Sequence, residues 1–423
     1  MRITERARRI EPFYVMEVAK AATALAPELA REGRPMVFLN IGEPDFGATP
    51  LVQEAAARAI REGRTQYTQA TGLPELRERI GQWYQDRFGL RVPANRIVVT
   101  AGASAALQLA CLALVEAGDE VLMPDPSYPC NQQFVNAAEG RAVLLPTTAA
   151  SRFQLSPEQV RAHWGPQTRG VLLASPSNPT GTSIAPQALA EIHAAVRERG
   201  GITLLDEIYL GLSHDETFGQ SGLALGEDVV SINSFSKYFC MTGWRLGWLV
   251  LPEPLVPVIE RMAQHLFICP STIAQHAALA CFEPESIAEY ERRRAEFKAR
   301  RDWFIPQLAA VGLPVPVVPD GAFYAWADCS AWCERLGLPA ATGSWDLAFD
   351  LMRRCGLAVT PGRDFGSADT ARFIRFSTAS SMGQLQEAIA RLRQAAAQLG
   401  LLADGALPGA TAAGGGAAHG GAP

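Results

Sequence analysis

No run of apolar residues in this sequence approaches the roughly 20 that a membrane-crossing helix requires. Nor does an apolar stretch of signal-peptide length follow the basic opening MRITERARRI, so the expected location is the cytoplasm. Surplus positive charge is missing too: 38 Lys and Arg stand against 43 Asp and Glu, for a formal net charge of -5. A surface without a basic surplus is poorly suited to phosphate backbones, and nucleic acid is not an expected partner. Histidine is scarce, at 6 residues, and the eight cysteines are scattered. Only Cys329 and Cys333 lie close together, with no second pair and no histidine beside them. Neither a disulfide framework nor a metal site is expected from that pattern.

What remains is the composition of an ordinary globular chain, 48% hydrophobic and 19% charged over 423 residues, enough for a large core. Short β-rich runs at 97–100, 120–123, 142–145, 171–174, 202–205, 229–233 and 246–251 alternate with helical patterns such as 104–115 and 186–198. Strands spaced by about thirty residues are the mark of βαβ units. The expected fold is α/β: a large domain, residues 47–285, with a mostly parallel seven-stranded sheet covered by helices. A smaller α+β domain is expected from both termini, residues 1–46 and 286–402, with a long helix carrying the charged run 289–301 as the connector. The Gly/Ala-rich tail 403–423 has almost no bulky apolar residue and is expected to be disordered.

Open α/β sheets bind ligands beyond the carboxyl ends of their strands, and the unusual residues fall there: GAS, DPSY, SPSNPTG, DEIY and SFSK. Lys237 closes the last of these, with Arg245 eight residues later. A lysine of pKa about 10.4 in water is nucleophilic at neutral pH only where burial or a nearby cation lowers that value. Arg245, Ser234 and Ser236 could then hold the phosphate of an aldehyde joined to Lys237; a surface lysine near a structural arginine fits the same residues. Asp206 ends the apolar run GITLLD, where a buried carboxylate needs a partner such as a protonated ring nitrogen, or else caps a helix. Asn178 and Tyr209 could both reach a phenolic oxygen on such a ring. Ala103 and Ser104 open a helix whose free N–H groups suit a phosphate, or simply form a tight turn. Tyr128 could stack on the ring or pack in its own turn, and Arg375 could take a carboxylate bidentately or form a surface ion pair.

Taken in order, NIGEPDF, YTQATGLPELR, GASAAL, PSYP, SNPTG, DEIY, SFSK, GWRLGW and IRFS resemble the class I and II aminotransferases of fold type I, which depend on pyridoxal 5'-phosphate. The resemblance spans about residues 12 to 399. It implies Lys237 as Schiff-base lysine and proton shuttle, Asp206 as partner of the ring nitrogen, and Asn178 with Tyr209 as partners of the ring hydroxyl. Ala103, Ser104, Ser234 and Arg245 match phosphate-binding positions, with Ser236 an addition, and Tyr128 matches the residue stacked on the ring. Arg375, assisted by Gly42 and Asn178, matches the site of the substrate carboxylate. Tyr67 matches a residue presented to the neighbouring subunit's phosphate, which implies a homodimer with shared active sites. The implied activity moves an amino group from an L-amino acid to a 2-oxo acid such as 2-oxoglutarate or pyruvate by ping-pong kinetics.

Two departures bear on the substrate. One aspartate-aminotransferase subgroup carries a lysine where this chain has Ser104, and the segment 262–272 lacks the arginine that binds a distal carboxylate in others. Together with Phe13, Tyr14, Phe267 and Ile268, this points to a neutral or apolar donor, such as alanine, a branched-chain or an aromatic amino acid, rather than aspartate. β-Lyases and aminocyclopropane-carboxylate synthases share the motifs and stay open as alternatives. A regulatory module that senses the cofactor would need a DNA-binding domain, for which the forty or so residues ahead of Gly42 are expected to leave no room.

Overall fold

Seven apolar runs in the middle of the chain become one sheet. The computed structural model describes residues 2–10, 12 and 14–402; Phe13 and the expected tail 403–423 lie outside the described residues. After a two-residue strand β1 (Val37–Phe38) come β2 (Ile97–Thr100), β3 (Glu120–Asp125), β4 (Arg141–Pro146), β5 (Thr168–Ala174), β6 (Ile202–Asp206), β7 (Val229–Ser234) and β8 (Gly247–Val250). Their order across the sheet is β2-β8-β7-β6-β5-β3-β4. β8 runs antiparallel to both its neighbours, and the remaining pairs are parallel.

Alternation within each strand feeds two cores. Val121, Met123, Leu172, Leu204, Val230 and Ile232 pack with Ala106, Leu107 and Ala110 of the helix Ala103–Leu114 on one face. Leu122, Val171, Leu173, Leu205 and Val229 pack with Leu189, Ile192 and Val196 of the helix Pro186–Arg197 on the other. A sheet covered on both sides needs apolar residues at every position, which is why these strands read as continuous runs rather than alternating ones. Each fully buried Leu or Val contributes about 1.5–3 kcal/mol relative to exposure.

The expected strand positions agree with the observed ones to within three residues at each end, and the direction of β8 has a local cause. Parallel neighbours need a crossover of a dozen or more residues, usually a helix. The link from β7 to β8, residues 235–246, has the single turn Thr242–Trp244 as its only helical piece and no crossover helix to carry the chain back along the sheet, so it returns antiparallel. Because β8 starts where β7 ends, Arg245 returns to the sheet edge that Lys237 has just left. Their spacing along the chain is thus a consequence of a hairpin-like return.

A second, three-stranded antiparallel sheet has the order β11-β12-β9, with β9 (Tyr324–Asp328), β11 (Thr360–Pro361) and β12 (Phe373–Ser377). Beside it the N-terminal β1 pairs in parallel with β10 (Leu357–Ala358), joining the two ends of the chain. Leu39, Trp332, Ile374, Phe376 and Leu392 form the core here. The helix Pro284–Ala310, which contains the charged run 289–301, carries Tyr290 and Phe297 into a core of the large sheet's surroundings and Phe304 and Leu308 into this one. At 27 residues it is about 40 Å long, enough to reach both.

Candidate active site

The parallel strands end along one edge, and the loops leaving them carry most of the expected residues. Gly102, at φ +86, precedes the helix Ala103–Leu114; a Cβ there would lie 2.6 Å from a terminal nitrogen of Arg245. Only glycine lets that guanidinium lie against the helix start. Arg245 is itself in a left-handed conformation at φ 53 and donates to the Thr242 carbonyl at 2.8 Å. Ser234, the last residue of β7, donates to Ser236 Oγ at 2.9 Å, and Ser104 stands exposed in the first turn of the helix. Leading N–H groups of a helix, an arginine and two paired hydroxyls make a cradle for a doubly charged phosphate.

Asp206 ends β6 and is 5% exposed. Burial pushes its carboxyl up to about 6, opposed by the Ile208 N–H, by Asn131 and by Lys237. Such a group calls for a cationic or proton-bearing partner. Lys237 is half-buried and donates from Nζ to the Gly42 carbonyl at 2.6 Å. Desolvation lowers its pKa to about 8; Glu43 and Asp206 raise it, while Arg375 and Arg245 add to the lowering. The cation near the amine is therefore real, but burial, rather than Arg245, is the first cause. Tyr128, on the loop after β3, and Tyr209, on the loop after β6, are both held well above the ordinary phenol range, burial being the main cause.

At the other end, Arg375 on β12 is 3% exposed and so is not a surface residue. One terminal nitrogen donates to Asn178 Oδ1 at 2.8 Å, the other to the Asn40 carbonyl at 2.6 Å and to Thr360 Oγ1 at 3.2 Å. Its Nε, both side-chain polar atoms of Asn40 and Asp364 Oδ2 are buried without a protein partner. Buried polar atoms are nearly always satisfied, so this cluster is chemistry suited to a polar ligand. Asp364, pushed up to about 7 by burial, accepts from the Tyr14 and Val15 backbone and faces Arg375.

The site lies at one edge of the large sheet, against the second sheet, with an amine, a buried acid, a phosphate cradle and a buried guanidinium. A family model described as aminotransferase class I and II matches residues 34–392. The chain belongs to that family. A valine–pyruvate aminotransferase of Mycobacterium tuberculosis is 38% identical over 388 residues, 90% of this chain and 96% of its own length. An aspartate aminotransferase of Rhizobium meliloti is 33% identical over 402 residues, covering 93% and 96%. A crystal structure of an aminotransferase from Mycobacterium tuberculosis superposes with a TM-score of 0.87 at 35% identity, covering 94% of this chain and all of that one.

Class I and II aminotransferases are transaminases that use pyridoxal 5'-phosphate and act on amino acids and 2-oxo acids, and the protein is an enzyme of this kind. The cradle at Gly102 and the raised carboxyl of Asp206 fit the cofactor's phosphate and its ring nitrogen. The expected apolar neighbours divide. Tyr14 sits by Arg363, 4.3 Å from that guanidinium, beside Asp364. Phe267 packs instead against the core beneath the helix Ala103–Leu114, and Ile268 is 50% exposed next to it. Tyr67 is 83% exposed. Sequence reasoning missed Asn40, Asn131, Tyr324, Thr360 and Asp364. Asn40 opens the NIGEPDF motif and was visible there; the others sit in stretches whose apolar or turn character hid them.

Proposed function

We propose that the enzyme transfers the amino group of a neutral or apolar L-amino acid to pyruvate or 2-oxoglutarate in a ping-pong cycle. The observation that supports the donor preference is the cleft at Asp364, the carboxyl that faces Arg375: it is lined by Tyr14, Leu144 and the uncharged Gln132, Gln133 and Ser367 beside Arg363 and Asp364. Its cation, Arg363, is already engaged with the faces of Tyr14 and Trp345, and Asp364 opposes a second carboxylate. The name of the valine–pyruvate relative agrees with a neutral donor. The aspartate relative is the reason to test both.

In this proposal Ala103, Ser104, Ser234, Ser236 and Arg245 hold the cofactor phosphate, Tyr128 lies on its ring, Asp206 holds a proton on the ring nitrogen, and Asn178 with Tyr209 holds its hydroxyl. When bound, the cofactor supplies an electron sink for the carbanion left at the substrate's α-carbon. Arg375, with Gly42 and Asn178, fixes the substrate carboxylate so that the α-proton faces Lys237. The neutral amine of Lys237 takes that proton and later returns it, and its lowered pKa keeps a useful fraction unprotonated near neutrality. Gly42 O, its acceptor at rest, keeps the amine at the site.

The proposal includes a cytoplasmic homodimer in which Tyr67 serves the partner's site; its exposure and the bond from Thr272 Oγ1 to the neighbouring Gln66 carbonyl at 2.7 Å support a presented loop. It also includes the division into 1–46, 47–285 and 286–402, supported by the separate sheets and cores. A panel of amino acids with pyruvate or 2-oxoglutarate tests it. Valine, alanine or an aromatic amino acid is expected to outperform aspartate in kcat/KM, with parallel double-reciprocal lines. Aspartate as best donor would overturn the donor assignment, and release of ammonia and pyruvate without a new amino acid would favour a β-lyase.

A further inference from the structure

Tyr324 on β9 lies against three of the residues expected to serve the reaction. It is 1% exposed, and its hydroxyl is 2.6 Å from that of Tyr209. The face of its ring lies 4.5 Å from the guanidinium carbon of Arg375, while Phe365 lies 5.0 Å from the same carbon. A Cβ on Gly42 would run into the Tyr324 hydroxyl, so the ring occupies the space that glycine leaves open. The register explains the encounter: β9 and β12 are antiparallel neighbours, with Tyr324 opposite Ser377 and Trp326 opposite Arg375.

We propose that Tyr324 is a positioning residue for both ends of the substrate complex. Its ring sets the plane of the Arg375 fork, and its hydroxyl fixes the orientation of the Tyr209 hydroxyl. The inference rests on the roles proposed above for Arg375 and Tyr209. Hydrogen bonds from its terminal nitrogens hold Arg375 through Asn178, Asn40 and Thr360, but its Nε has no protein partner, and the ring of Tyr324, nearer than that of Phe365, steadies the guanidinium plane on that side. Of two hydroxyls 2.6 Å apart, one donates its proton to the other and the acceptor's own proton points elsewhere. When Tyr324 donates, the proton of Tyr209 is released toward a third acceptor, and a hydroxyl that receives a hydrogen bond is the stronger donor.

Two variants separate the two roles. Tyr324→Phe keeps the ring and removes the hydroxyl: the dissociation constant for pyridoxal phosphate is expected to rise about 2- to 10-fold, with a shifted absorbance maximum and a donor KM within about twofold of the parent. Tyr324→Leu removes the ring as well, and the donor KM is expected to rise about tenfold, the size of a buried cation–π contact. In an Arg375→Ala background the same Leu substitution is expected to raise KM no further. Should the Leu variant fail to fold, the Phe variant still decides, since its shape is that of the parent. Parent-like cofactor binding and spectrum in Tyr324→Phe would overturn the role of Tyr324, as would a parent-like KM in Tyr324→Leu while Arg375→Ala is impaired. An Arg375→Ala enzyme with unchanged donor KM would overturn the site assignment itself, and the role of Tyr324 with it.

Discussion

At the proposed phosphate end of the site, Ala103, Ser104, Ser234, Ser236 and Arg245 all flank strands of one sheet. At the proposed carboxylate end, Arg375 is held by Asn40, 335 residues away, by Asn178, 197 residues away, and by Thr360 across a two-residue strand. The first end is shaped by local rules: a glycine turn, a helix start and a return from β7 to β8 without a crossover helix. The second exists only where two sheets meet. Local construction leaves the phosphate end partly open to solvent, with Ser104 and Arg245 exposed. Assembly at the carboxylate end buries a charge, which is stable only because neighbours from several segments satisfy it. The two ends should therefore fail differently.

Lys237 stands between them, and its removal gives the largest effect. Lys237→Ala is expected to lower the transamination rate by about 1,000-fold or more and to abolish the visible absorbance of the bound cofactor. An unchanged spectrum would remove Lys237 from the site.

The paired substitutions Arg375→Lys and Arg245→Ala put the comparison directly to the test. A lysine cannot reproduce the fork that meets Asn178 and Asn40, so Arg375→Lys is expected to lower kcat/KM for every donor by about 100-fold with cofactor affinity kept. Arg245→Ala is expected to weaken cofactor binding by about 10- to 100-fold and leave the donor KM unchanged once the cofactor is saturating. Titrations with pyridoxal phosphate and steady-state kinetics read the two effects separately; equal losses in both quantities for both variants would erase the distinction.

The smallest effect touches neither end. Glu207, beside Asp206 but turned toward Ser221, Ser231 and the Gly222 N–H, is pushed up to about 7 by burial. Between about pH 4.5 and 7 the unfolded chain has ionised this group while the folded protein keeps its proton, so its contribution to stability falls as pH rises through that window. Glu207→Gln does not titrate. Urea unfolding at pH 5 and pH 8 is expected to show the parent losing about 3 kcal/mol more than the variant across that interval, with Asp206 and Asp364 contributing equally to both proteins.

Legibility follows the same division. The seven strands could be read because burial on both faces writes continuous apolar runs, and the edge residues could be read because strand ends in such sheets bind ligands. Asn131 and Thr360 could not, since an amide in a helix and a threonine in a short strand look the same whether they face a ligand or a neighbour. Tyr324 sits in GAFYAW, where an aromatic in a buried strand reads as core. Arg375 was found only through a motif; its sequence alone left it equally a surface ion pair, and burial settled that point. Phe267 and Ile268 were apolar enough for a substrate pocket, yet the helix before them carries Phe267 into another core.

By itself the sequence determined the sheet and the edge at which unusual residues gather, and offered Lys237, Asp206 and the start of the helix at Ala103 as candidates, because each depends on residues close together along the chain. Only the tertiary structure decided that Arg375 is buried, that Asn40, Thr360 and Tyr324 hold it, and that burial more than Arg245 lowers the pKa of Lys237. Those properties depend on how much water is excluded and on which distant segments exclude it, and no local pattern encodes either.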